Sequence, residues 1–117
     1  MNPEPGDVPK LRHLQHWLAP LFERAGVKLV LSGHEHNYVR SGRLVGGRRQ
    51  RRGVTYVLTG GGGAVLDPLP ATPSPLTAAR GSFFHHLLIS VAGRKMRVRA
   101  IDTAGRVRDR FQLSCGA

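Results

Sequence analysis

The last third of the chain alternates. Met96, Val98 and Ala100 fall on one parity, and Lys95, Arg97 and Arg99 on the other. Further on, Val107, Phe111 and Leu113 are set against Arg106, Arg108 and Arg110. Successive side chains of a strand point to opposite faces. A period of two that separates apolar from cationic residues therefore argues for half-buried strands. "FFHHLLISV", "KMRVRAID" and "VRDRFQL" read as three consecutive strands, joined by turns at "AGR" and "TAG". The expectation is an antiparallel meander with one face in a core and one arginine-rich face in water. Asp109 shares parity with Val107 and Phe111, so a structural pair with an arginine is expected there.

Upstream the period changes. In "KLRHLQHWLAPLFERA", residues 10–25, the apolar positions Leu11, Leu14, Leu18, Leu21, Phe22 and Ala25 recur at helical spacing. Pro20 is expected to kink or split that helix, and Gly26 to end it. His13 and His16 are one turn apart but lie off the apolar stripe, which places them in solvent. Residues 1–9, with three prolines, read as an irregular lead-in. Val27–Ser32 reads as a short buried strand after the helix, an order that suggests an α/β layer. Residues 42–53 read as a surface loop or hairpin tip with a basic cluster, Arg48, Arg49, Arg51 and Arg52. Val54–Thr59 is a further strand of β-branched and aromatic residues. Gly60–Gly63 read as a tight turn packed close to its surroundings, and a proline-rich irregular stretch follows. Among His85 and His86, one is expected to face inward with Phe84 and Leu88 as a hydrogen-bonded structural histidine.

Composition bounds the rest. A length of 117 residues suits one domain. Cys115 is the sole cysteine, which excludes an internal disulfide and any multi-cysteine zinc site. No apolar run is long enough to span a membrane. The first ten residues lack the apolar centre of a secretory signal, and the compartment stays open. The net charge is +11, and 15 of the 18 basic residues are arginine. That balance admits nucleic acid as a partner and equally a set of solvated arginine faces.

The chemistry concentrates in "LVLSGHEHNYVR", Leu29 to Arg40. An apolar strand stops at Ser32-Gly33, and His34 and His36 follow with Glu35 between them. In an extended segment His34 and His36 would point the same way. Neutral imidazole is a common metal ligand. Gly33 would let the backbone turn at the C-terminal end of the strand, where open α/β sheets bind ligands. Tyr38 and Arg40 flank this loop as candidates for substrate contact or for loop packing.

"VKLVLSGHEHNYVR" resembles the last metal-ligand motif, G-H-x-H-x-Y-x-R, of the calcineurin-like metallophosphoesterases, in the group that includes purple acid phosphatases. "LRHLQHWLAPLFERAGVKLVLS" is similar to that family's helix-then-strand approach, and "VTYVLTGGGGA" to its next strand and glycine loop. "FFHHLLISVAGRKMRVRAIDTAGRVRDRF" is similar to its closing strands. Val39 stands where purple acid phosphatases usually carry Glu. The resemblance implies an α/β fold: part of a metallophosphoesterase sandwich, one helix region followed by about five strands, the last three a meander. It implies residues 1–117 as the C-terminal part of a single phosphoesterase domain. It implies two divalent or trivalent ions (Fe, Zn or Mn) in the complete protein, a phosphate ester as substrate, and His34 and His36 as ligands, one to each ion.

The family's earlier ligands, on D-x-H, G-D and G-N-H segments and a further histidine, have no counterpart in these 117 residues. Two histidines alone hold a metal weakly. The expected activity is therefore metal-dependent phosphoester hydrolysis by a longer or split protein, with this chain supplying one edge of the site and the missing N-terminal half as its partner. The alternatives are a small basic nucleic-acid-binding protein and a truncated gene product without activity of its own. Val27–Ser32 would carry an open apolar edge in such a fragment, and association is expected.

Overall fold

The computed structural model describes residues 7–115, with side chains from His16 onward. One helix, α1 (Asp7–Arg24), precedes eight strands: β1 (Leu29–Ser32), β2 (Tyr38–Val45), β3 (Arg48–Arg49), β4 (Val54–Thr59), β5 (Thr77–Gly81), β6 (His85–Ala92), β7 (Lys95–Asp102) and β8 (Val107–Ser114). The fold is α/β, as the sequence implied. The helix starts at Asp7, so residues 7–9 are helical rather than irregular, and the rest of the lead-in lies outside the described residues. Pro20 sits inside one unbroken helix and does not split it. The residue gives up only one intrahelical bond, and the flanking turns carry the helix through. The helix ends at Arg24, and Gly26 takes a left-handed φ of 74° just beyond it.

The strands form two sheets. The first has the order β1-β4-β2-β3, with β5 also paired to β2. β1 and β4 are parallel, Leu29 opposite Thr55 and Ser32 opposite Leu58. β2 is antiparallel to both β4 and β5. The second sheet is the meander β6-β7-β8. Its strand limits agree with the alternation within two residues.

Eight strands replace the expected five. The segment 42–53 is a hairpin: β2 runs from the histidine loop to Val45, and β3 returns beside it. β5 arises inside the stretch expected to be irregular, because the edge of β2 is free to take another strand. β1 is not buried as expected. It is an edge strand with its second side unpaired among the described residues, and Leu31 is 46% exposed. The open apolar edge anticipated for this segment is present.

The core lies between the sheets. Tyr38, Val57, Phe83 and Ala100 are buried at its centre, with Leu29, Ala79, Leu87 and Phe111 packed around them. One parity of each strand faces this layer. The opposite face of the first sheet, with Val39, Tyr56 and Leu58, looks toward α1 across a cavity of about 1030 Å³. Burying apolar side chains at roughly 25 cal/mol per Å² holds the two sheets together. The α1 side is far less closed, with Trp17, Leu18 and Leu21 exposed.

Candidate metal centre

The histidine loop, residues 33–37, leaves the C-terminal end of β1 and returns as β2. It is a series of bends and not an extended segment, so alternation does not set where its side chains point. The sharp step falls on His34, at φ 81°, rather than on Gly33. A non-glycine residue in the left-handed region costs about 1–3 kcal/mol and persists where the surroundings hold it. His34 is exposed. Replacing His34 with Gly is expected to raise stability by about 1 kcal/mol, because the Cβ that opposes this conformation is removed. A lower melting temperature for His34→Gly would show that the imbalance is not there.

His36 is held by the segment after the glycines. Its Nδ1 lies 2.8 Å from the Val65 carbonyl oxygen. A carbonyl oxygen only accepts, so Nδ1 carries the proton and the neutral ring has its lone pair at Nε2. A second backbone pair fixes the residue. The His36 N–H donates to Asp67 Oδ2 at 2.9 Å, and the Asp67 N–H donates to the His36 carbonyl at 3.0 Å. The bond from the His36 N–H, against a smaller opposing effect of desolvation, holds the Asp67 carboxyl below the usual carboxylate range. An imidazole tethered at Nδ1 to a carbonyl, with Nε2 open, is the donor form that metal sites use. Asp67 was not singled out in the sequence as a ligand. The structure gives it a supporting role, and its separation from His36 by 31 residues hid that.

The floor of the loop is a three-residue cluster. Tyr38 Oη donates to Asp109 Oδ2 at 2.5 Å. Arg40 Nε donates to the same oxygen at 2.7 Å, and its Nη2 donates to Oδ1 at 3.1 Å. The Arg40 guanidinium also lies 4.7 Å from the Phe111 ring centre. Tyr38 is 1% exposed. Burial, reinforced by Asp109, pushes the Tyr38 phenol well above its ordinary value. Burial works against ionisation of Asp109, but the bonds from Arg40 and Tyr38 outweigh it and hold the carboxyl low. Both residues flanking the loop thus commit their polar groups to β8, in the structural pairing expected of Asp109.

The glycine turn packs against the loop. A Cβ on Gly60 would overlap the Glu35 carbonyl oxygen, so only glycine fits there. The Gly60 N–H donates to the Asn37 carbonyl at 3.1 Å. His85, not His86, faces inward, and it does so beside Phe83; Phe84 and Leu88 point out. The parity is reversed from the one expected, because the strand is entered from Phe83 in the core. His85 Nδ1 donates to the Phe83 carbonyl at 2.9 Å, and Thr59 Oγ1 lies 2.8 Å from Nε2. Both ring nitrogens are occupied, as a structural histidine requires. His16 is exposed, and the side chain of His13 lies outside the described residues.

Among the described residues, no three His, Cys, Asp or Glu side chains converge as metal ligands. The donor chemistry of His36 fits a metal; the set is incomplete. Asn37 is 1% exposed, and neither its Nδ2 nor its Oδ1 has a partner. The Tyr56 hydroxyl is buried without a partner too, and both residues line the cavity under α1.

No protein-family profile and no curated protein matches the chain. Solved structures do. A purple acid phosphatase, PPD1, from yellow lupin (Lupinus luteus) seeds superposes over 86% of this chain with a TM-score of 0.75 at 22% identity. GAP50, the anchor in the inner membrane complex of Plasmodium, superposes over 91% with a TM-score of 0.76 at 16% identity. At these identities the likeness is one of fold: the helix and sheets match the C-terminal part of a purple acid phosphatase fold. The chain spans 19% of the first protein and 31% of the second. No helix is long and apolar enough to cross a membrane among the described residues.

Proposed function

We propose that this chain supplies the G-H-x-H edge of a two-metal phosphoester hydrolase whose other ligands come from polypeptide outside these 117 residues. His34 and His36 would each ligate one of two ions (Fe, Zn or Mn). Such an ion pair clamps a phosphate ester and supplies a hydroxide for in-line attack on phosphorus. The observation that carries the reading is the tether of His36 Nδ1 to the Val65 carbonyl, which leaves Nε2 open. The fold likeness supports it.

The unfinished side of the molecule supports it as well. The free edge of β1, the exposed face of α1, and the orphaned Asn37 amide and Tyr56 hydroxyl are features that further polypeptide of one larger domain would satisfy. Tyr38 and Arg40, tied to Asp109, would hold the loop beside the substrate phosphate rather than grip it.

The test begins with the DNA upstream of the Met1 codon. In-frame D-x-H, G-D and G-N-H segments are expected, and the extended protein should hydrolyse a phosphate monoester in a metal-dependent way. His34→Ala or His36→Ala should each cost more than about 100-fold, since even groups behind metal ligands are worth about 10–100-fold. Full activity in both variants would end this reading.

A further inference from the structure

The outer face of the meander carries cations without carboxylates. Arg99 on β7 stands directly opposite Arg110 on β8, and Arg97 stands opposite Gln112. On the other side Ser90 pairs with Arg97 and Leu88 with Arg99. Like charges directly opposite each other destabilise a sheet. Several other arginines are engaged: Arg40 with Asp109, Arg106 and Arg108 with Asp102, Arg49 and Arg80 with backbone carbonyls. Among the described residues, Arg97, Arg99 and Arg110 have no carboxylate partner. They line one open hollow of about 590 Å³ together with Ser90 and Gln112. An uncompensated row of guanidinium groups on a stable strand face calls for an anion.

We propose that this face binds the phosphate backbone of nucleic acid without reading its sequence. Lys95, Arg97 and Arg99 stand every second residue along β7, about 6.6 Å apart, so the charge is laid out in a line suited to a repeating polyanion. No wall encloses a small nucleotide. Phe111, which lines the hollow, packs against the core, and among the described residues no exposed ring stands over the row of arginines to stack a base. The proposal stands on the second sheet alone and does not depend on the histidine loop.

The test is fluorescence anisotropy with a labelled single-stranded oligonucleotide and the 117-residue chain, titrated between about 50 and 200 mM salt. Binding should weaken linearly in log–log form. For Arg99→Gln/Arg110→Gln the slope should fall by about 1.4, the value for two lost phosphate contacts on a single strand. That variant should fold at least as well as the parent, since a like-charge pair is removed. Arg48→Gln/Arg52→Gln, in the β2–β3 hairpin region, should leave the slope unchanged. The proposal is overturned by loss in the hairpin variant alone, by an unaltered slope in the meander variant, or by stoichiometric displacement with pyrophosphate, which would mark a small-anion site.

Discussion

Asp109→Ala should destabilise the protein by about 3 kcal/mol or more. The aspartate side chain is 11% exposed and that of Arg40 18%. Removing the carboxylate strands a guanidinium and a phenol in the layer between the sheets, and breaking a largely buried ion pair from one side leaves the other charge uncompensated. Thermal or urea unfolding of the purified chain measures this, and a change under about 0.5 kcal/mol would mean the cluster carries little. The pH profile gives a second reading. Asp109 sits below its ordinary value in the folded state, so its contribution is present above the unfolded carboxylate's pKa, near 4, and fades as pH falls through the lower folded value. Tyr38 sits above its ordinary value, so its contribution is complete below about pH 10 and fades as pH rises further. Asp109→Ala should abolish the acid flank and only soften the alkaline one, because burial is the larger cause of the Tyr38 shift.

Gly60→Ala should be nearly as damaging, and more local. The added methyl meets the carbonyl of Glu35. The obstacle is backbone, so no rotamer change relieves it, and overpacking of this kind costs about 1–3 kcal/mol. The displaced atoms belong to the histidine loop itself. Backbone resonances of Glu35 to Asn37 should move most, and any metal response of His36 should weaken with them. Gly62→Ala is the control: its Cβ would meet open space, and it should be close to neutral. Equal effects at the two positions would show that general loss of glycine, not the contact with Glu35, is responsible.

The meander was legible because its two faces differ in kind. Arginine against Val, Phe and Leu leaves one register, and the strands fall where the alternation puts them. β5 was not legible. Thr77–Gly81 has no periodicity of its own and becomes a strand only because β2 offers an edge. The inward histidine was assigned to the wrong parity because Phe83 and Phe84 are equally apolar, and only the packing against Tyr38 chooses between them. The G-H-x-H stretch announced a site, yet its geometry did not follow from spacing. His34 takes a left-handed φ that an alternating strand would never require, and Asp67 reaches His36 from a segment with no pattern at all.

The Asp109 cluster also sets an order of events. Tyr38 and Arg40 find their partner 71 and 69 residues further along the chain. Contacts that distant must first close a long loop of chain, and such closures come late. β8 also leaves the ribosome after every other described strand. Until it docks, the start of β2, which follows the two histidines, lacks the tie from Tyr38 and Arg40 to Asp109. A nascent chain short of Asp109 would display the G-H-x-H sequence without the tie that anchors it, so assembly of the loop waits on completion of β8.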